Sequence, residues 1–98
     1  MYESYNKTIS EHLRITILRL LDENNGTLND SLISDLVGPY GFNQSLDKIH
    51  TELSWLEEQG LIECSGESCI VATLTRRGED VAKCRVTVPG VKRPSPRR

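Results

Sequence analysis

Residues 45–75, with the sequence SLDKIHTELSWLEEQGLIECSGESCIVATLT, contain a helix followed by two short extended segments. Ser45 can cap a helix over residues 46–59, because the apolar side chains recur there at spacings of three and four. A glycine ends that helix, and residues 61–74 then alternate between apolar and polar side chains around a turn at residues 65–68. This stretch decides the fold, because it predicts a β-hairpin that directly follows a helix.

The flanking sequence predicts three further helices. A capping box at Thr8 and an apolar stripe predict the first helix over residues 8–23. Asn29 or Asp30 can cap a second helix of about seven residues, and Thr75 can cap a short last helix to about residue 84. The expected fold class is α+β, mostly α: a winged helix-turn-helix with three helices, a two-stranded hairpin as the wing and a short C-terminal helix.

Charge divides the chain into two unequal parts. Residues 1–74 hold 12 acids and 4 bases, whereas residues 75–98 hold 2 acids and 8 bases. The apolar pattern stops at Arg85, and three prolines follow. We therefore expect one domain over residues 1–84 and a disordered, basic, proline-containing tail over residues 85–98. Such a tail either contacts a polyanion or keeps an acidic domain in solution, and the sequence leaves both interpretations open.

Several function classes are disfavoured by what the sequence lacks. No stretch approaches the roughly 20 apolar residues of a membrane span, and residues 1–7 have no secretory pattern, so a cytoplasmic protein without a membrane partner is expected. No glycine-rich phosphate loop or nucleophile motif occurs. We therefore expect no catalytic residues and no cofactor, and a protein that works by binding.

The three cysteines, an odd number, are expected to be reduced. Cys64 and Cys69 flank the hairpin turn, where they could form a cross-strand disulfide or contribute to a metal site. No paired Cys and His motif accompanies them, and small apolar residues on strands are the other interpretation, so no metal site is expected.

Two sequence runs resemble the end of the third helix and the region after the wing in bacterial winged-helix regulators. The first comprises Leu53, Trp55, Leu56, Gly60, Leu61 and Ile62, and the second comprises Ala72, Leu74, Thr75, Gly78 and Ala82. Residues 85–96 are similar to the C-terminal signature of small, ArsR-like winged-helix proteins of Mu-like phages and prophages. This resemblance implies a phage or prophage origin, regulation of transcription and a homodimer.

The helix-turn-helix resemblance also implies double-stranded DNA as the partner, with the third helix in the major groove. Polar side chains near its N-terminal end would contact the bases: Asn43, Gln44, Ser45, Lys48 and Thr51. Basic side chains of the last helix and the tail would contact phosphates: Arg76, Arg77, Arg85, Lys92, Arg93, Arg97 and Arg98.

The charge of the third helix argues against this mode of binding. Residues 46–59 contain a single lysine against four acids, and the hairpin adds two acids and no base. Carboxylates close to phosphates are repelled. The alternative function is therefore a protein-interaction adaptor of the same fold in phage assembly or packaging, with a phage protein as its partner.

Overall fold

The computed structural model describes residues 2–93 of the chain, with side chains from Ser4 onward. Within these residues the fold is α+β and mostly helical, with four α-helices and one three-stranded antiparallel sheet. In chain order the elements are α1 (Tyr2–Glu23), β1 (Thr27–Asn29), α2 (Asp30–Leu36), a 3-10 turn (Gly38–Tyr40), α3 (Leu46–Glu58), β2 (Ile62–Ser65), β3 (Val71–Leu74) and α4 (Arg76–Ala82).

The sheet has one strand more than the predicted two-stranded hairpin. No strand was predicted at residues 27–29, but β1 pairs antiparallel with β3, which gives the strand order β1-β3-β2. Gly26, at φ +86°, turns the chain after α1, and its carbonyl accepts a hydrogen bond from the N–H of Leu74. Two strands alone are marginally stable, so the third strand ties the hairpin to the helices.

The helix starts are set by local capping, with one exception. The side chains of Asn29, Ser45 and Thr75 each accept a backbone N–H at the start of α2, α3 and α4, which confirms three predicted caps. Helix α1 begins at Tyr2 and not at Thr8, so the capping box within it does not mark a helix start. An amide inside a continuous helix already has its partner four residues earlier, and a capping side chain there is superfluous.

One apolar core joins the four helices and the sheet. It is built from the inner side of α1 (Leu13, Ile17, Leu18 and Leu21), from α3 (Ile49, Leu53 and Leu56) and from β2 and β3 (Ile62 and Ala72), all of them at most 1% exposed. Burial of this kind contributes roughly 25 cal/mol for each Å² of apolar surface removed from water. It fixes α3 and the hairpin as a rigid unit on α1.

Residues 85–93, which we call the C-terminal strap, pack on the domain and do not form the solvated chain predicted for them. Val88 and Val91 are 3% and 8% exposed, and the N–H of Lys92 donates to the carbonyl of Glu11 on α1. The prediction rested on prolines and bases and gave no weight to these valines, which bury apolar surface although they follow no helical or strand period. Residues 94–98, with Arg97 and Arg98, lie outside the described residues.

Replacing Gly90 in the strap with alanine is expected to destabilise the protein by roughly 1–3 kcal/mol. Gly90 has φ +97°, and a Cβ there would lie 2.6 Å from the ring of Trp55. Urea unfolding followed by fluorescence of Trp55, the single tryptophan, measures the change. Gly38 is the matched control, because a Cβ there has no atom within 4 Å. Equal losses at both positions would contradict the packed strap.

Candidate functional site

Helix α3 presents one side to the core and the opposite side to solvent. Asp47, Thr51, Ser54 and Glu58, at spacings of four, three and four, are all exposed. This spacing places them on one helix face. It is the face that would enter a DNA groove in the interpretation drawn from the sequence.

Lys48, the predicted base-contacting cation, points away from that face and toward α1. Its Nζ donates to Ser10 Oγ at 2.8 Å and lies 2.8 Å from Glu52 Oε2. The side chain is 31% exposed, and its carboxylate partner is 1% exposed. The one lysine of α3, which has no arginine, is therefore held in an ion pair with a buried carboxylate.

Glu52 is the centre of a network that connects α3 to α1 and to the strap. Arg14 Nε donates to Glu52 Oε1 at 2.5 Å, and Arg14 Nη1 donates to the carbonyl of Gly90 at 2.9 Å. The Arg14 guanidinium also lies over the Trp55 ring, 3.9 Å from its centroid, as a cation–π pair. Burial acts to raise the pKa of Glu52, but the hydrogen bonds from Lys48 and Arg14 outweigh it and leave that pKa lowered. The carboxylate stays charged and keeps both cations in place.

The other predicted base-contacting residues lie at or before the start of α3. Ser45 Oγ accepts the N–H of Lys48, and Thr51 Oγ1 donates to the carbonyl of Asp47, so both hydroxyls take part in the helix's own hydrogen bonding. Asn43 is exposed and Gln44 is half-buried in the link before α3. Of the five, only the side-chain amides of Asn43 and Gln44 make no hydrogen bond within the described residues.

The hairpin that follows α3 carries two further exposed acids, Glu63 and Glu67. Glu57 Oε2 accepts the N–H of Cys64, which holds the end of α3 against β2. We use the name acidic face for the exposed carboxylates of α3 and the hairpin, namely Asp47, Glu57, Glu58, Glu63 and Glu67. Between residues 46 and 74 the sequence has no Lys or Arg except Lys48, which is held by Glu52. Negative charge on this face is therefore unopposed by a neighbouring base on the same elements.

The predicted phosphate-contacting residues lie on α4 and the strap. Arg76 and Arg77 are exposed at the start of α4, and Lys92 is exposed on the strap. Arg85 Nη1 lies 3.1 Å from Asp80 Oδ1, and Arg93 Nη1 donates to Thr87 Oγ1. The predicted phosphate-contacting residues that the structure describes thus lie on α4 and the strap, outside the acidic face.

Comparison with known proteins assigns the chain to a phage lineage. It is 42% identical over 93 residues to the uncharacterized protein gp26 of Escherichia phage Mu, and the match covers 94% of this chain and 97% of gp26. The chain belongs to the gp26 family of Mu-like phages. An uncharacterized protein of Haemophilus influenzae is 41% identical over 76 residues, which is 76% of this chain and 74% of that protein. The expected Mu-like phage or prophage family is therefore confirmed.

Two other comparisons gave no relative. No protein-family model matches this gp26-family chain, and no solved structure does. Among residues 2–93, none of the helices combines the length and the apolar character that crossing a membrane requires.

A polar cluster around Asp30 was missed in the sequence. Asp30, 4% exposed at the start of α2, lies 2.7 Å from His50 Nε2 of α3 and accepts the N–H of Ser31. Cys69 Sγ donates to it at 3.6 Å. The sequence shows that Asp30 directly follows the Asn29 cap. Its pairing with His50 of α3 and with Cys69 of the hairpin turn depends on tertiary structure. The cluster joins three elements beside the acidic face.

The cysteines do not face each other as the predicted turn suggested. Cys64 pairs with Ala72, and Cys69 precedes β3, because the hairpin strands are Ile62–Ser65 and Val71–Leu74. None of the three cysteines forms a disulfide. Burial, and next the charge of Asp30, raise the pKa of Cys69, which favours the thiol over the thiolate. In the described part of the chain, no three His, Cys, Asp or Glu side chains are grouped to hold a metal ion.

Acid is expected to weaken the fold through Asp30. The hydrogen bond with His50 is the main cause that lowers the pKa of Asp30 from its ordinary value of 3.8. A carboxyl group whose pKa is lower in the folded chain than in the unfolded chain stabilises the fold at pH values above its unfolded pKa. This contribution is lost as the pH falls through the folded pKa. The stability difference between the wild type and Asp30→Asn should be larger at about pH 6 than at about pH 2. Urea unfolding at both values measures it, and a difference independent of pH would contradict the expectation.

Proposed function

We propose that this chain is a winged-helix binding module of the gp26 family that docks a basic phage protein on its acidic face, as an adaptor in phage assembly or packaging. The module works by binding and not by catalysis. Helix α3 serves as part of a protein-docking surface, and it does not enter the major groove of DNA.

The order of elements supports the winged-helix part of the proposal. Helix, strand, helix, helix and two strands follow one another, and β1 adds to the edge of the hairpin in the order β1-β3-β2. In this arrangement α2 and α3 form the helix-turn-helix, and β2 and β3 form the wing. The fold by itself leaves the partner open, because winged helices bind nucleic acid and also protein.

The observation that carries the choice of partner is the position of Lys48. Its ammonium is held by Glu52, so the exposed side of α3 offers Asp47 and Glu58 and no lysine or arginine. Affinity for DNA rests on bases that neutralise phosphates. A surface of this charge repels a phosphate backbone and attracts a partner rich in Lys and Arg.

A pull-down from phage-infected cells tests the proposal, with the full chain as bait and nuclease-treated lysate. We expect a phage-encoded protein with a basic surface to be recovered by the wild type and recovered less by Glu58→Lys, because one reversed charge weakens the attraction between the acidic face and a basic partner. Glu23→Lys is the matched control, because Glu23 is an exposed acid at the far end of α1. Equal recovery by the three baits, or recovery that depends on intact DNA, would contradict docking on the acidic face.

DNA binding is a second candidate function, and it is favoured by the exposed Arg76 and Arg77 at the start of α4. These two arginines lie outside the acidic face, and the exposed Lys92 of the strap adds a third base. A regulator that used them would contact phosphates and leave α3 out of the groove.

Fluorescence anisotropy with a mixed-sequence duplex at low salt tests this second candidate. If DNA binds through α4, Arg76→Ala/Arg77→Ala should make the dependence of log affinity on log salt shallower by roughly 2. Lys48→Ala is the control, and it should leave that slope unchanged. No binding at tens of micromolar protein would exclude the second candidate. A change of that slope with Lys48→Ala alone would indicate that α3 contacts the DNA.

A further inference from the structure

A groove lies between the end of α2 and the start of α3, where the 3-10 turn joins the two helices. It is open to solvent and has a volume of about 530 Å³, and its lining includes Asp35, Gly38, Gly41, Phe42, Asn43 and Gln44. A cleft of this size accommodates a small ligand or a long side chain of a partner. Because Gln44 lies three residues before Asp47, the groove adjoins the start of the acidic face.

The polar groups of the groove are unused within the fold. Asp35 is exposed and forms no ion pair within the described residues. The side-chain amides of Asn43 and Gln44 make no hydrogen bond there either, although both residues line the same groove. The sequence from residue 20 to residue 47 contains no Lys or Arg that would neutralise the Asp35 carboxylate. The groove therefore offers one carboxylate and two amide oxygens as acceptors.

The helix ends around the groove do not cancel this negative charge. Asp35 lies in the last turn of α2, where the C-terminal end of the helix dipole is negative. The N-terminal end of α3 carries the opposite partial charge, but Ser45 caps it and Asp47 lies in its first turn. The electrostatics of the groove thus favour a cation.

The shape and chemistry of the lining favour arginine over lysine. Phe42, half-buried against the core, gives the groove an aromatic side. A guanidinium is planar, stacks on aromatic rings and donates several N–H groups in fixed directions, so it can bond a carboxylate and amide oxygens at the same time. The ammonium of lysine is a compact, strongly hydrated charge that uses such a flat site less well.

We propose that this groove binds an arginine side chain of the basic partner, with the guanidinium between Asp35 and the side-chain oxygens of Asn43 and Gln44 and its plane against Phe42. This inference rests on the proposed function, because it names the side chain that anchors the basic phage protein beside the acidic face. It gives Asn43 and Gln44 a role in binding protein and not in reading DNA bases.

Two glycines keep the groove open, and one of them provides a way to block it. A Cβ at Gly38 or at Gly41 would have no atom within 4 Å. Gly41 has φ +94°, which disfavours any other residue, whereas Gly38 is not among the residues with positive φ. A large side chain at position 38 therefore fills space at the groove without straining the backbone.

Titration of the ¹⁵N-labelled full chain with acetyl-Arg-Arg-amide, followed by amide chemical shifts, tests the proposal. We expect saturable shifts centred on residues 34–44, with a dissociation constant on the order of 1 mM. Acetyl-Lys-Lys-amide has the same charge, and we expect it to bind roughly fivefold more weakly or worse, because lysine lacks the planar fork.

Variants locate the binding site. Asp35→Asn, which removes the charge, and Gly38→Phe, which fills the groove, should each raise the dissociation constant for the arginine peptide roughly fivefold or more. Gly38→Ala is the control for the second variant. Glu23→Gln is the control for the first, because Glu23 is an exposed acid of α1 outside the groove. Both controls should leave the dissociation constant unchanged, and circular dichroism checks that each variant is folded.

Three outcomes would overturn the arginine groove: equal affinity for the two dipeptides, shifts confined to residues 47–67 of α3 and the hairpin, or no shifts up to about 10 mM peptide. An effect of Glu23→Gln equal to that of Asp35→Asn would also overturn it, since the peptide would then respond to overall charge alone. The pull-down with Glu58→Lys tests docking on the acidic face separately, so failure of the groove and failure of the proposed function are distinguishable.

Discussion

Replacement of Glu52 by alanine is expected to destabilise the protein by about 3–5 kcal/mol. The carboxylate is 1% exposed and bonds Arg14 and Lys48 at the contact between α1 and α3. Its removal leaves two partly buried cations without their counter-ion, and breaking a buried pair from one side costs far more than the pair itself contributes. Urea unfolding monitored by circular dichroism gives the free-energy change.

Glu58→Ala is the matched control for this prediction, because it removes the same side chain from an exposed position of the same helix. We expect it to change stability by less than about 0.5 kcal/mol. A loss at Glu52 no larger than that at Glu58 would show that the network does not hold Lys48, and the argument for an acidic α3 would lose its basis.

The second large effect is expected at Gly78, where alanine should cost about 3 kcal/mol. Gly78 is buried in α4, and a Cβ there would lie 2.0 Å from the carbonyl oxygen of Leu61 and 2.8 Å from Leu74 Cδ1. The backbone carbonyl of Leu61 cannot move aside as a flexible side chain can. In the alanine variant α4 must therefore shift away from Leu61, which links α3 to β2. Thermal and urea unfolding both measure the loss.

Arg77→Ala, at the exposed neighbouring position, is the control for Gly78→Ala. It removes a side chain without touching the contact between α4 and Leu61, and we expect it to be close to neutral. If Gly78→Ala were as stable as this control, the close approach of α4 to the hairpin would be wrong.

The parts of the fold that local chemistry determines could be predicted from the sequence. Asn29, Ser45 and Thr75 cap helices because each side chain bonds an amide within three residues. The hairpin followed from alternation after Gly60. The pairing of β1 with β3 could not be predicted, because a three-residue strand has no pattern of its own and forms only where β3 is already in place.

The candidate site was predictable in its charge and unpredictable in its geometry. The excess of acids on the third helix and hairpin is a property of composition. The direction of Lys48 depends on Ser10 and Glu52, and the strap is held by Arg14 from a distant part of the chain. Lys48 and Glu52 are an i, i+4 pair that helix spacing allows. The contacts of Lys48 with Ser10 and of Arg14 with Gly90 join residues 38 and 76 positions apart, and helix periodicity contains no information about them.

A titration of the ¹⁵N-labelled chain with a mixed-sequence duplex at low salt, followed by amide chemical shifts, tests the central claim most directly. The claim is that the solvent side of α3 is acidic and does not contact DNA. We predict that the amides of residues 43–58 keep their shifts, and that any change is confined to α4 and the strap. Saturable shifts at Asn43, Gln44, Ser45, Lys48 and Thr51 would contradict the account.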